Sequence, residues 1–129
     1  MPSFGAASKR HLATLDPQLQ RLMNEAIKYV DFSITCGFRN QAEQDKAFAE
    51  GDSKVKWPDG MHNKNPSRAV DVAPYPLDYS DLKAFIYLNG FICGIAATMG
   101  IKVRSGVDWD GDLNIKEHSF LDAPHIELH

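Results

Sequence analysis

The sequence predicts an α+β domain, a small and mostly antiparallel sheet packed with about three helices. Three observations lead there. Apolar residues recur at helical spacing in two long segments, and four short β-rich runs alternate apolar with polar residues. No repeat or linker divides the 129 residues, so residues 1–129 read as a single domain. A chain of this length can bury a core without metal or disulfide staples.

Residues 1–15 read as irregular, with Phe4 and Leu12 as a small apolar anchor. Asp16-Pro17 is a helix start, an N-cap carboxylate followed by proline at the first helical position. Leu19, Leu22, Met23, Ala26, Ile27 and Val30 then form one buried stripe, with the helix ending near Tyr29 or Val30. Phe32–Cys36 alternates and reads as a strand, stopped by Gly37. A more polar helix follows from Gln41 to Glu50. Residues 52–68 carry Pro58, Gly60, Pro66 and several lysines with no apolar period, hence a long loop. Ala69–Ala73 is a second strand in which Val70 and Val72 face one side and Asp71 the other. Ser80 or Asp81 caps a third helix reaching Met99, weakened by Gly90 and Gly94 and stopped by Gly100. Ile101–Arg104 and Pro124–Leu128 are two further strands, separated by a turn-rich stretch from Gly106 to Ser119.

Composition excludes several classes. With 43% hydrophobic and 24% charged residues the chain is not disordered, and a net charge of −3 with scattered Lys and Arg argues against a non-specific nucleic-acid binder. Cys36 and Cys93 lie in apolar contexts and read as buried small residues in a reducing compartment. The first fifteen residues lack the apolar run of a signal peptide, and Phe85–Met99 is too short to span a bilayer. The expectation is synthesis in the cytoplasm.

The chemistry concentrates in His62–Asp71 and in Asp122-Ala-Pro-His125. Alternation turns Asp71 away from Val70 and Val72, and His125 away from Ile126 and Leu128. If the two strands are neighbours over one core, both side chains emerge on the opposite face, where His62 can fold over them. Two imidazole nitrogens and a carboxylate oxygen at roughly 2.0–2.2 Å make a three-ligand zinc site with an open position, the arrangement of a catalytic centre. Asp122 is placed to take a proton without being a ligand. Spacing alone leaves this open, since His11, His118 and His129 are rivals, each read as a surface residue.

These residues carry a resemblance to the M15 family of zinc peptidases, which includes D-Ala-D-Ala carboxypeptidases and dipeptidases and the L-alanyl-D-glutamate endopeptidases of bacteriophages. That pattern places Ser-x-His before a strand ending Ala-x-Asp, then an acidic residue, two positions and His. Here Met61-His62-Asn63, Ala69-Val70-Asp71 and Asp122-Ala-Pro-His125 occupy it. Gly37-Phe38-Arg39 with Gln44 resembles a G-[YF]-R-x-x-x-x-Q element, and Gly106-Val-Asp108-Trp109-Asp110 an aromatic-acidic turn before the last ligand. The similarity covers about residues 10–128. The resemblance implies a hedgehog/DD-peptidase-like fold and Zn²⁺ held by His62, Asp71 and His125. It further implies Asp122 as general base and Arg39 meeting the substrate carboxylate or the developing oxyanion.

Two departures are visible. The commonest form separates the first ligand from the aspartate by seven positions, and here the separation is nine; counting back seven reaches Lys64, which cannot replace a histidine ligand while charged. The motif serine position is Gly60, so Ser53 is the substitute candidate for substrate contact, with Gln44 beside it as a structural or substrate-binding residue. Asp108, Asp110 and Asp112 superficially resemble a calcium loop without its terminal glutamate; a polar turn burying Trp109 beside the site is the preferred reading. Trp57 and Tyr75 are candidate walls for a peptide, or simple packing residues.

The function implied is a phage endolysin that hydrolyses a peptidoglycan stem-peptide bond, L-Ala–D-Glu. It would be a monomer, held in the host cytoplasm until lysis and inserting in no membrane. The alternatives are a D-Ala-D-Ala carboxypeptidase or dipeptidase, and a non-catalytic zinc-stabilised binding module.

Overall fold

The computed structural model describes residues 2–113 and 122–129. In chain order the elements are α1 (Ala6–Leu12), α2 (Pro17–Ala26), β1 (Phe32–Cys36), α3 (Gln41–Ala49), a 3-10 turn at Met61–Asn63, β2 (Ala69–Pro74), α4 (Leu82–Thr98), β3 (Val103–Ser105) and β4 (His125–Leu128). The α+β expectation holds, with four helices rather than about three among the described residues. The strands form one sheet in the order β1-β2-β4-β3, and every neighbouring pair is antiparallel.

Local chemistry sets the boundaries. Asp16 Oδ1 accepts the Gln18 amide proton at 2.9 Å with Pro17 in the first turn of α2. Asn40 and Glu43 form a reciprocal capping box on α3, and Asp81 caps α4 through Ala84 N. The apolar stripe of α2 ends one turn earlier than its spacing suggests. Ile27 is already the C-cap, and residues 27–29 form a turn. β3 begins at Val103 instead of Ile101.

The core lies on one face of the sheet. Leu19, Leu22, Met23 and Ala26 of α2 and Leu88, Ile92 and Ala96 of α4 meet Ile34, Val70, Val72, Ile126 and Leu128. All are essentially excluded from water, and each such side chain contributes about 1.5–3 kcal/mol when it is Val, Leu, Ile, Phe or Met. The residues between them in β2 and β4 therefore face the other way. That opposite face is the floor of the site.

Two local features lie outside what periodicity shows. Residues 1–15 are not irregular throughout, because α1 forms and packs on β1. It has no side-chain cap; Phe4 and Leu12 anchor the segment on the core as expected, and buried Ser8 adds a polar tie, accepting the Ile34 amide proton at 3.0 Å through Oγ. In β1 the register shifts between Ile34 and Cys36, with Ile34 opposite Val72 and Cys36 opposite Asp71. This bulge turns Thr35 and Cys36 both toward the site face. Cys36 is thus half-buried in the cleft wall rather than an apolar filler of the core.

Replacing Ser8 with alanine leaves the Ile34 amide buried without a partner. We expect Ser8→Ala to cost about 1–3 kcal/mol, read as a lower urea midpoint. An unchanged midpoint would show that α1 is held by its apolar residues alone.

Candidate active site

Asp71 of β2 and His125 of β4 are direct cross-strand partners at the centre of the sheet, both turned away from the core. His62 comes over them from the 3-10 turn. Its Nε2 lies 3.1 Å from Asp71 Oδ1, and His125 Nδ1 lies 3.4 Å from the same oxygen. The two rings meet edge to face with centroids 5.1 Å apart.

Each ring is held through its other nitrogen by a group that can only accept. His62 Nδ1 donates to the Gly37 carbonyl at 2.7 Å, and His125 Nε2 donates to the Glu127 carboxylate at 2.8 Å. The nitrogens left to face Asp71, which offer a lone pair to an ion once they give up their protons, are therefore Nε2 of one ring and Nδ1 of the other. Metal-binding histidines are held in this manner. In a tetrahedral shell with bonds of 2.0–2.2 Å, donor atoms stand roughly 3.3–3.6 Å apart, close to the two separations observed. The donor types, and the two separations from Asp71, are of the kind a zinc ion takes.

The electrostatics are those of a cation site. Burial opposes the charge on Asp71, but the charge of His62 and hydrogen bonds from both rings hold it well below the usual carboxylate range. Burial likewise works against the charged forms of the histidines. The Asp71 carboxylate outweighs it at His62, raising that ring to about 10, and Asp71 with Glu127 raises His125 to about 9. Asp122 moves the other way. Burial, reinforced by the Asp71 charge, pushes it up to about 6, suited to exchanging a proton near neutrality. Its Oδ2 stands 3.9 Å from His125 Nδ1.

A second layer positions these groups. Asn89, fully buried in α4, donates from Nδ2 to the carbonyls of Ala123 (2.8 Å) and His125 (3.0 Å), and accepts from Ser105 Oγ. It clamps the turn that carries both Asp122 and His125. Gly106 closes the turn from the other side, its amide donating to His125 O and its carbonyl accepting from Asp122 N, each at 2.8 Å. An added Cβ there would overlap the Asp122 carbonyl. Arg39, at the exit of β1, donates from Nη1 to Gln44 Oε1 at 3.1 Å and places Nη2 3.7 Å from Asp71 Oδ2.

The surrounding cleft has a volume of about 910 Å³. Ser53, Tyr79, Arg104, Trp109 and Asp122 are among its walls. Trp109 is half-buried with its ring 5.6 Å from that of His125, as the polar-turn reading expects. Of the two aromatics singled out as peptide walls, neither Trp57 nor Tyr75 lines the cleft. Tyr79 takes that place.

Against this geometry, the known proteins are informative. The profile of the family described as phage L-alanyl-D-glutamate peptidase matches residues 2–129. The chain belongs to that family. It is 34% identical over 134 residues to the L-alanyl-D-glutamate peptidase of Escherichia phage T5, covering 97% of this chain and 96% of the relative. Its structure resembles that of the Serratia marcescens L-Ala D-Glu endopeptidase ChiX with a TM-score of 0.74. That match has 25% identity and covers 98% of this chain and 90% of the other.

Within this family member, the expected site residues fall into groups. His62, Asp71, His125, Asp122 and Arg39 converge on one point. Lys64 is exposed, with its Nζ 3.5 Å from Pro58 O, and does not face Asp71. His11 and His129 do not line the cleft, and His118 lies outside the described residues. Gln44 is 1% exposed and all four of its hydrogen-bonding positions are occupied: Arg39 and Asn63 at Oε1, Ser53 Oγ and Val55 O at Nε2. It holds Arg39 and the Ser53 loop in place; direct contact with a substrate would need one of these bonds to break. A serine at Gly60 would collide with Asn63 Oδ1, which instead accepts the Gly60 amide proton.

Cys36, His62 and Asp71 also form a possible metal-binding group, with ligand atoms within 4.8 Å of one another. Cys36 Sγ lies 3.7 Å from His62 Nδ1, the nitrogen already committed to the Gly37 carbonyl, so the thiol and Asp71 approach opposite edges of the ring. Asp108, Asp110 and Asp112 form a second such group. Two of these carboxylates accept backbone amide protons in their own turn, Asp108 from Leu113 and Asp110 from Asp112.

Sequence reasoning passed over Asn89, Gly106 and Glu127 as site residues. A buried amide inside an otherwise apolar helix is the signal that Asn89 offers. We expect Gly106→Ala to force the Asp122 turn away, costing about 1–3 kcal/mol in denaturation and shifting the amide resonances of Asp122 and His125. Unmoved resonances would mean that the turn yields without carrying the carboxylate with it.

Proposed function

We propose that residues 1–129 act as a single zinc peptidase domain that hydrolyses the L-Ala–D-Glu bond of peptidoglycan stem peptides. The observation that carries this reading is one Asp71 oxygen flanked by His62 Nε2 and His125 Nδ1, with the Asp122 carboxyl alongside. The family and its relatives, named for cleavage of that bond, supply the substrate.

In this reading His62, Asp71 and His125 hold Zn²⁺. When bound, the ion supplies Lewis acidity to a scissile carbonyl and to water. Asp122 Oδ2 takes the proton of the attacking water and later returns it to the leaving amine. A carboxyl beside the ligands can make both transfers without being a ligand itself. Arg39 offers a permanent, planar cation to a substrate carboxylate or to negative charge developing on the carbonyl oxygen. Gln44 keeps that guanidinium aimed, and Ser53 lines the cleft wall with its hydroxyl tied to Gln44 Nε2 and to the backbone of Val55, bonds a substrate would have to exchange. The protein would work as a monomer on the wall. No helix among the described residues is long and apolar enough to cross a membrane. In this reading access to the wall follows release from the host cytoplasm at lysis.

Three measurements test this. Asp122→Ala should retain about one zinc per chain while hydrolysis of purified peptidoglycan falls about 10²–10⁴-fold. Undiminished hydrolysis removes Asp122 from the mechanism, and a wild type without hydrolysis favours a binding module. New D-Glu amines among the products support the proposed bond; free D-Ala points to the carboxypeptidase alternative. His62→Ala should lose zinc, whereas Lys64→Ala and Cys36→Ser keep it, and the reverse pattern overturns the ligand assignment.

Zinc uptake should also depend on pH with a defined sign. His62 and His125, raised to about 10 and about 9, carry protons at neutrality that an ion must displace. Affinity therefore rises with pH and is lost on acidification. Calorimetry near pH 7 in buffers of different ionisation enthalpy should show about two protons released per ion. A pH-independent affinity would place the ion elsewhere.

A further inference from the structure

His62 and His125 are held by anchors of different kinds. His62 Nδ1 donates to a backbone carbonyl, which no side-chain substitution at Gly37 removes. His125 Nε2 donates to a side chain. Alternation along β4 puts His125 and Glu127 on one face, two residues apart, and Glu127 Oε1 lies 2.8 Å from Nε2. The second Glu127 oxygen accepts from Arg104 Nη2 at 2.9 Å. Arg104 is the cross-strand partner of Glu127 on β3, and its guanidinium lies over the Trp109 ring, 5.9 Å from the centroid. Glu127 is 5% exposed and ion-paired, so it meets the ring as a carboxylate, which can accept a proton but has none to give.

We propose that Glu127 is a positioning residue, which by accepting the Nε2 proton of His125 makes Nδ1 the nitrogen available to a metal ion, and that Arg104 holds Glu127 in this role. Nδ1 has an acceptor of its own in Asp71 Oδ1 at 3.4 Å, so Glu127, at the shorter 2.8 Å, is what keeps the single proton of the neutral ring on Nε2; without it the proton passes to Nδ1 and the lone pair turns away from Asp71. The consequence for zinc affinity rests on the metallopeptidase reading. The consequence for the ring proton does not.

Glutamine at position 127 provides a sharp test, because it keeps the shape and exchanges one acceptor for a donor. Arg104 has only protons to offer and so claims the amide oxygen. The amide NH₂ then faces His125 Nε2, which must accept, and the ring proton moves to Nδ1. We expect Glu127→Gln to weaken zinc binding about 10–100-fold in competition with a chromophoric chelator. Arg104→Met in the same chain frees the amide to turn its oxygen to His125 and should restore affinity to within about threefold of wild type. Arg104→Met alone should stay within the same range, since Glu127 remains an acceptor.

Long-range ¹H–¹⁵N spectra of the metal-free protein, recorded under alkaline conditions where the ring is neutral, read the proton directly. It should sit on Nε2 in wild type and in the double variant, and on Nδ1 in Glu127→Gln. A folded Glu127→Gln protein that keeps the Nε2 proton overturns the proposal. So does a loss of affinity that the double variant fails to recover. If the wild type takes up no zinc while the ring proton moves as described, the metallopeptidase reading falls and the positioning role stands.

Discussion

A carboxylate in the middle of a sheet, facing a cleft and largely shielded from water, is the constraint to which the surrounding structure answers. Asp71 cannot remain charged there without compensating groups, since burying an unpaired ion is far costlier than any single packing contact. Its partners arrive from three places, His62 from a 3-10 turn, His125 from the adjacent strand and Arg39 from the exit of β1, while Asp122, a competing negative charge, comes from the turn before β4. Strand register is what makes the convergence possible. A slip of one residue between β2 and β4 would carry Asp71 or His125 into the core and leave valine or isoleucine on the cleft floor. The apolar packing of Val70, Val72, Ile126 and Leu128 therefore specifies the site as firmly as it stabilises the fold.

Polar support is divided between the two sides of this centre. On one side Gln44 and Asn63 tie Arg39 to the long loop, with each amide atom of Gln44 satisfied. On the other, Asn89 reaches from α4 through the sheet edge to two carbonyls of the 122–125 turn. Fully satisfied buried networks hold a single arrangement, because any displacement strands a donor or acceptor in a low-dielectric interior. The cleft is thus bounded by loops, yet its reacting groups are fixed by elements of the core.

Much of this was legible from alternation alone. Asp71 and His125 were assigned to one face because their neighbours are apolar, and the sheet pairs them directly. Asp16-Pro17, Gln41 and Ser80 or Asp81 mark helix starts that the structure places there within a residue or two. What escaped has physical reasons. α1 spans seven residues and is fixed by a serine hydroxyl, so it leaves no apolar period to read. The bulge in β1 reverses the facing of Cys36 without altering the composition of the strand. Gln44 and Asn89 bind through amides whose partners lie 4 to 36 positions away, and all but Cys93, four positions from Asn89, and Arg39, five from Gln44, lie at distances that no local pattern encodes. Glu127 stood within a recognised motif, but its role depends on a cross-strand arginine.

The unusual spacing between His62 and Asp71 follows from how the loop is tied at both ends. Arg39 N donates to His62 O, Arg68 N to Met61 O, and Ser67 exchanges backbone hydrogen bonds with Thr14 and Asp16. Between these fixed points Lys64, Asn65 and Pro66 are exposed. Additional residues can therefore bulge into solvent while His62 stays where its carbonyl and its Nδ1 hold it. Lengthening a surface loop by two residues adds only a few tenths of a kcal/mol of closure entropy. Misplacing an imidazole that neutralises a buried carboxylate costs several times more. The arithmetic favours keeping the histidine and letting the count change, and for that reason the side chain beside Asp71 is His62 and the one seven positions before it, Lys64, points away.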